Sequence, residues 1–378
     1  QENTTLPASD AIAFSNTTIG LAGKPQAVAF ADMNADGRPD MVIARTDADT
    51  ANVFINNSTL GGAINFFGAP AELLSGDKPV AIAIGDVNGD GKPDVVTANM
   101  ADAFGSPATK GSVTVFLNQT AAGANPAVFQ LGVSYPVGYT TVAVAVADVN
   151  GDGRADIAAT SYDSNTVSIL LNNTPPGAAS PTFAAAVSYA TGAAPWGVVV
   201  RDLQGDGRPE VIVANAVSSS FSVFVNATDP GSASLSFSSR MNVATGLGPD
   251  AIVAADFNGD GKADLATSCY NSSALMIHLN TSTVGSSAVT FATASDVIHS
   301  SPQAVAFRDL NGNGNVDLVV ATASAFDDAE IRLNEPAAGA VSATFGSSAG
   351  FGVGDDPAAI AFADFNGDGK PALVTADA

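Results

Sequence analysis

Seven short stretches of this 378-residue chain set oxygen-bearing side chains at one fixed spacing. The third shows the pattern: Asp148-Val149-Asn150-Gly151-Asp152-Gly153-Arg154-Ala155-Asp156. Oxygens stand at positions 1, 3, 5 and 9, and glycine at position 6 admits a sharp turn. Alternate residues of a tight loop can all point inward. Such a set of hard donors suits calcium, which takes about six to eight oxygens in flexible geometry. Magnesium wants a stricter octahedron and more water. No His or Cys accompanies the loops, which argues against zinc and copper. Position 7 would offer its backbone carbonyl, leaving its side chain free to be basic, and it is Arg or Lys in six of the seven.

The candidate ligands follow loop by loop. Loop 32–40 offers Asp32, Asn34, Asp36, Arg38 and Asp40, and loop 86–94 offers Asp86, Asn88, Asp90, Lys92 and Asp94. Loop 148–156 offers Asp148, Asn150, Asp152, Arg154 and Asp156, and loop 256–264 offers Asp256, Asn258, Asp260, Lys262 and Asp264. Three loops depart from this set. Loop 202–210 has Asp202, Gln204, Asp206, Arg208 and Glu210, whose longer Gln and Glu side chains should distort the site. Loop 309–317 has Asp309, Asn311, Asn313, Asn315 and Asp317, with one charge fewer at position 5. Loop 364–372 has Asp364, Asn366, Asp368 and Lys370 but Ala372 at position 9, so it should be the weakest.

Any one such loop could be an Asp/Asn/Gly turn held by side-chain-to-backbone hydrogen bonds. The set argues for metal. Positions 1, 5 and 9 hold 19 of the 37 acidic residues, and the chain carries a formal charge of −23. Up to seven calcium ions, in a structural role tying the strands on either side of each loop, would relieve that repulsion. Extracellular calcium modules bind at roughly 10⁻⁴ to 10⁻³ M, which suits an outside environment.

The elements that carry these loops repeat with them. The loops start at intervals of 54, 62, 54, 54, 53 and 55 residues. Each is preceded by an apolar run such as Ala81-Ile82-Ala83-Ile84 and followed by another such as Val95-Val96-Thr97-Ala98. A third alternating run, such as Ser112 to Asn118, and a fourth that begins at a Phe such as Phe129 or Phe183 complete the unit. Runs of four to eight residues between Gly, Asn and Asp are strands and turns. Four strands per unit predict an all-β fold, a single seven-bladed β-propeller over 1–378. A linear solenoid would need much shorter coils. The register of the ends predicts ring closure by the N-terminal segment. A fourth strand near Ala11 to Ile19 would close the last blade, which then lacks only its third strand. Alternatives are that this blade is three-stranded, that the chain is part of something longer, or that its edge takes a strand from a neighbouring chain.

These residues resemble the FG-GAP/VCBS repeat family, whose calcium loops also occur in the integrin α-chain propeller. The resemblance spans essentially the whole chain. It implies a propeller with calcium in the loop between the first and second strands of each blade. Four loops match that motif in full, those beginning at Asp32, Asp86, Asp148 and Asp256.

Catalysis finds little support. The two histidines are His278, alternating with Met276 and Asn280 as a blade-face residue would, and His299, near a loop. The single cysteine, Cys269, follows a second strand and reads as a small buried thiol; it permits no internal disulfide. A binding face is easier to place. The loops opposite the acidic ones present one position that varies while its surroundings repeat: Gln26, Val80, Val142, Trp196, Asp250, Gln303 and Ala358. These would ring the mouth of the central channel. Trp196, the only tryptophan, offers a platform for a sugar or a protein anchor, or packs between blades. Gln26, Asp250 and Gln303 are the polar candidates beside it. The loops Met100 to Gly111 and Tyr162 to Asn165 should stand on the same side. Asn-x-Ser/Thr triplets at Asn118, Asn172 and Asn226 recur after third strands, favouring a structural turn over glycosylation.

The acidic balance excludes nucleic acid and anionic membranes as partners, and no apolar run is long enough to span a bilayer. The start, Gln1-Glu2-Asn3-Thr4, carries no signal peptide, as a mature N-terminus left after export would not. The expectation is a secreted or surface-exposed, non-catalytic module for recognition or adhesion, binding a glycan or an extracellular protein. A structural subunit joined through the last blade and a propeller enzyme acting on polysaccharide are the alternatives.

Overall fold

The computed structural model describes residues 2–3, 14–15, 18–20, 23–66, 68–101, 104–105, 109–286, 288–292, 295–296, 301–322, 328–335, 343–346 and 349–377. The chain begins with β1 (Glu2–Asn3) and β2 (Phe14–Ser15), which pair with each other. Six four-stranded antiparallel meanders follow. The first is β3 (Pro25–Ala31), β4 (Asp40–Arg45), β5 (Thr50–Phe54) and β6 (Ala71–Leu74). The second is β7 (Pro79–Gly85), β8 (Asp94–Asn99), β9 (Lys110–Phe116) and β10 (Val133–Tyr139). The third is β11 (Thr141–Ala147), β12 (Asp156–Ser161), β13 (Thr166–Leu170) and β14 (Val187–Ala190). The fourth is β15 (Pro195–Arg201), β16 (Glu210–Asn215), β17 (Ser220–Asn226) and β18 (Phe237–Ala244). The fifth is β19 (Pro249–Ala255), β20 (Asp264–Cys269), β21 (Ala274–His278) and β22 (Ser295–Asp296). The sixth is β23 (Pro302–Arg308), β24 (Asp317–Thr322), β25 (Asp328–Arg332) and β26 (Ala349–Gly352). A final pair, β27 (Pro357–Ala363) and β28 (Ala372–Asp377), forms a two-stranded sheet.

The fold is therefore an all-β propeller, but with six complete blades rather than the seven expected. Among the described residues the seventh unit makes two strands, one before and one after its acidic loop. The first strand of each unit touches the first strands of its neighbours, and β27 returns to touch β3. Closure also differs in detail from expectation. Two short N-terminal strands form rather than one, and β1 lies against β28. Asn3 faces Phe14 in the same Asn–Phe pairing, eleven residues apart, seen at Asn118 with Phe129 and Asn172 with Phe183. Most of the segment from Ala11 to Ile19 lies outside the described residues.

Burial follows position in the blade. First strands are half-buried along the channel, as in β3. Second strands such as β8, β12 and β16 are buried throughout, because both faces meet neighbouring blades. Fourth strands such as β14 are largely exposed. The core is accordingly a series of inter-blade clusters, such as Val96, Val113 and Val115 against Ile157 and Ala159. The first blade meets the seventh unit in the same way. Phe365 holds the rings of Phe30 and Phe66 edge-on, each with centroids 5.0 Å away.

The fourth strands start later than the sequence suggests. Phe129 and Phe183 make only isolated bridges to Asn118 and Asn172, and the ladders resume at Val133 and Val187. At these points the Asn side chain donates to the preceding blade, and its backbone N–H goes to the carboxylate of Asp94 or Asp156.

Candidate functional site: acidic loops and channel mouth

The acidic loops all join first to second strands, as expected. Two turns of left-handed backbone shape them. In the third loop Gly151 and Gly153 have φ of 69° and 83°, a region that favours glycine. Position 1 then caps the turn. Asp148 accepts N–H bonds from Asp152 at 3.1 Å and Gly153 at 2.7 Å, using both oxygens. Asn150 accepts the Asp152 N–H at 3.2 Å, and Asp152 accepts the Arg154 N–H at 2.9 Å. The same position-1 cap recurs down to Asp364, which takes N–H bonds from Asp368 and Gly369.

Position 9 has another employment. Asp40, Asp94, Asp156, Glu210, Asp264 and Asp317 are all fully buried. One oxygen of Asp156 accepts the N–H of Val149, at position 2, at 2.9 Å, and the other accepts the N–H of Asn172 at 2.7 Å. The carboxylate thus latches its loop to the end of the third strand of its own blade. Burial pushes the Asp156 carboxyl up to about 6, with the neighbouring Asp152 and Asp148 adding to the rise and the two N–H donors opposing it. Glu210 goes to about 7 for the same reason. Its longer side chain does distort the latch: the Asn226 N–H is 3.4 Å away, against 2.7 Å at Asp156. Ala372 leaves the seventh loop with no latch.

The basic residues at position 7 differ from loop to loop. Arg38 and Arg154 fold back onto Asp36 and Asp152 at 2.6 and 2.9 Å. Partial burial opposes it, but the Arg154 bonds hold the Asp152 carboxyl below the usual carboxylate range. Lys262 stands 3.9 Å from Asp260, whereas Lys92 donates to the Thr120 carbonyl at 3.0 Å.

The donor chemistry of the loops fits calcium, because every candidate ligand is an oxygen. Positions 1, 3 and 5 would hold the ion with the position-7 carbonyl. Apart from Gln204, each of their side chains accepts a loop N–H, although a carboxylate oxygen keeps a further lone pair. Position 9 spends one lone pair of each oxygen on the latch. Among the described residues no three Asp, Glu, His or Cys side chains gather closely enough to hold a metal ion.

The loops are also joints between blades. Asn172 donates its Nδ2 to Val87 of the preceding loop at 2.8 Å and to Ala155 of its own loop at 2.9 Å. Asn56, Asn118, Asn226, Asn280 and Asn334 do the same, reaching the preceding unit at 2.7 to 2.9 Å. Both hydrogens of each amide are taken, and the residues are buried. This structural duty leaves no nitrogen for a glycan at Asn118, Asn172 or Asn226. The position-3 side chain clasps the opposite neighbour: Asn150 donates to the Ser232 carbonyl at 2.9 Å, and Gln204 donates to that of Ser286. Sequence reasoning read these asparagines as local turns; their recurrence with the loops was the signal of a wider role.

At the other end of the ring, the varying positions share one feature. Gln26, Val80, Val142, Trp196, Asp250, Gln303 and Ala358 all sit at the irregular step of their first strand, where the ladder to the second strand shifts register. A bulge re-aims its side chain away from the sheet. Gln303 is tied to Asp356 at 2.9 Å, and the Gln26 side chain donates to the Pro25 carbonyl at 3.5 Å. The backbones pass close at the steps of Trp196 and Asp250, where a β-carbon on Gly197 would stand 2.9 Å from the Asp250 carbonyl.

Trp196 has company that sequence reasoning missed. Phe104 stacks on it, centroids 5.3 Å apart at 21°, and Tyr162 meets it edge-on at 5.6 Å. Phe104 and Tyr162 are 4.9 Å apart. The three rings come from successive blades. Asp163 fixes them: it accepts the Gly105 N–H at 3.0 Å and the Thr140 hydroxyl at 2.6 Å. The Trp196 carbonyl accepts the Thr160 hydroxyl at 2.6 Å. Phe104 remains 46% exposed, so one face of the stack is open. The available signal was an aromatic at each of two adjacent loop tips on the expected face.

His278 and Cys269 are buried. Burial lowers the His278 imidazole to about 4, and its Nε2 lies 3.2 Å from the Thr245 hydroxyl. Burial likewise pushes the Cys269 thiol up. His299 lies outside the described residues.

An all-β propeller with an acidic turn at the entry of each second strand is the class these features define. Models of the FG-GAP-like repeat match residues 32–97, 148–213, 202–267 and 309–375, and the FG-GAP repeat matches residues 79–116. The chain belongs to the FG-GAP repeat family. No curated protein matches it. Among solved structures it is similar to BBS1N in complex with ARL6DN, with a TM-score of 0.57 and 14% identity over 96% of this chain and 93% of that one. It is also similar to a putative 6-phosphogluconolactonase from Bacteroides fragilis, with a TM-score of 0.56 and 13% identity over 93% and 87% of the two chains. At such identities the likeness is one of fold.

Proposed function

We propose that this chain is a non-catalytic recognition module, secreted or displayed at a cell surface. Calcium in the acidic loops braces its ring, and the opposite face binds its ligand. The observation that carries this reading is the aromatic cluster of Phe104, Tyr162 and Trp196, assembled from three blades and open on one side. Such a cluster costs exposed apolar area that the blade cores do not need, as recognition surfaces do. The burial of His278 and Cys269 favours binding over catalysis. The alternative of an assembly joined at the last blade is weakened by β1, which lies against β28 within the same chain.

The test is an array of extracellular proteins and glycans probed with the wild type and with Trp196→Ala in calcium buffer. A binder lost at least tenfold by the variant, with its melting unchanged, supports this face. A variant that binds as the wild type does removes it.

A further inference from the structure

The basic side chains at position 7 divide the acidic loops into two kinds. Resting on the calcium reading just described, we propose that Arg38 and Arg154 are tethered stand-ins for the ion. Each holds the position-5 oxygen that calcium would need, so loops 86–94 and 256–264 take calcium at a lower concentration than loops 32–40 and 148–156.

These four loops carry the same acidic and amide side chains at positions 1, 3, 5 and 9, so those ligands do not separate them. In all four the position-5 carboxylate gives one oxygen to the position-7 N–H, at 2.9 to 3.0 Å. Its other oxygen is the one left for a cation. On Asp152 that oxygen accepts Arg154 Nη2 at 2.9 Å, Arg154 Nε at 3.1 Å and Asn150 Nδ2 at 3.3 Å. On Asp36 it accepts Arg38 Nη2 at 2.6 Å and Asn34 Nδ2 at 3.1 Å, while Arg38 Nε is anchored on the Asn56 carbonyl at 3.2 Å. A carboxylate oxygen has about two lone pairs, so both are spent. The lysine loops differ. Among the described residues the second oxygen of Asp90 accepts only Asn88 Nδ2, at 3.3 Å, and Lys92 reaches away to the Thr120 carbonyl at 3.0 Å. Lys262 stands 3.9 Å from the second oxygen of Asp260, beyond hydrogen-bond distance. Side-chain geometry explains the contrast. The planar fork of arginine folds back onto a carboxylate two residues away, whereas lysine is a hydrated point charge on a flexible stem. Calcium needs its oxygens at about 2.3 to 2.6 Å. A guanidinium on the same oxygen would repel it and must swing out first, losing its charge-assisted bonds. The arginine therefore steadies its loop without metal and opposes metal entry. Arg208, in the loop with Gln204 at position 3, makes no such bond among the described residues, and that loop stands outside the comparison.

Charge-conserving swaps separate a stand-in from simple repulsion. The full chain, stripped of metal, is titrated with calcium chloride by calorimetry at about 0.15 M salt. Three proteins are compared: the wild type, Arg38→Lys with Arg154→Lys, and Lys92→Arg with Lys262→Arg. The remaining three loops are common to all and cancel in the differences. The lysine pair should move two sites to about fivefold lower calcium, and the arginine pair should move two sites about fivefold the other way, with circular dichroism unchanged. In chelator the lysine pair should also melt about 2 °C below the wild type, a gap that closes in saturating calcium. Weaker folding without metal together with tighter metal binding marks a stand-in; net charge is the same in all three proteins and cannot produce it. Isotherms that coincide across the three, or equal melting in chelator, overturn the proposal and leave the calcium reading intact. A wild type that takes up no calcium removes that reading and the proposal with it.

Discussion

Replacing Asn172 by alanine tests the joint between the second and third blades. The side chain is 1% exposed and makes three bonds: to the Val87 carbonyl at 2.8 Å, to the Ala155 carbonyl at 2.9 Å, and from the Thr174 N–H at 2.8 Å. Alanine removes all three and fills none of the positions. Each lost bond has a net worth of about 1 kcal/mol, and each buried partner left bare adds to that. The expected cost is about 3 to 5 kcal/mol. Asn172→Asp should be no milder, because it keeps the acceptor, loses both donors, and sets a second carboxylate beside Asp156. The neighbouring Asn173 is exposed, so Asn173→Ala should cost less than about 0.5 kcal/mol. Urea unfolding followed by circular dichroism measures all three. Asn172→Ala within about 1 kcal/mol of wild type would refute the joint.

Two further outcomes follow from the site geometry. Chelation should lower the melting temperature and calcium should raise it more than magnesium does, each occupied loop adding about 1 to 3 kcal/mol at about 10 mM calcium. A melt unchanged between chelator and calcium would remove the metal from the reading. His278 gives the pH dependence. Its folded pKa, about 4, lies below its unfolded value of 6.5, so folding favours the neutral ring. Its contribution is complete above pH 6.5 and falls as the pH drops toward 4. At pH 5 the wild type should have lost about 2 kcal/mol more than His278→Gln. Parallel stability curves between pH 7.5 and 5 would show that His278 is not the cause.

The repeat was legible because each unit carries the same loop, and the strands around it follow from alternation. The equivalence of the seven varying positions was legible too, and each sits at the register shift of its first strand. What was not legible lies across blades. Asn118 and Asn172 look like turn residues in their own units; their partners Met33 and Val87 are 85 residues away. Phe104 and Trp196 belong to different units, and only the ring brings them together. The position-9 carboxylate shows the same limit. Its type fits a ligand as well as a latch, and only its two backbone donors distinguish the employments.

One loop lacks that latch. In the first six units, one position-9 oxygen accepts the N–H of the Asn that ends the third strand of the same unit. In the seventh unit position 9 is Ala372, and the strand that lies against β28 is β1. The bonds that cross from the seventh loop to the first blade run through positions 2 and 3 instead. Asn56 donates to the Phe365 carbonyl at 2.8 Å, the Gly61 N–H to that of Asn366 at 2.8 Å, and the Asn366 side chain to that of Gly62 at 2.9 Å. The seventh loop therefore keeps the bonds that close the ring and lacks the position-9 latch. The first six loops thus have two separable duties, latching their own third strand through position 9 and binding the next blade through positions 2 and 3. A cation held by positions 1, 3 and 5 would stiffen the segment that performs the second duty. Its effect belongs to the cooperativity between blades, where a repeat ring holds much of its stability, rather than to the ladder within any one of them.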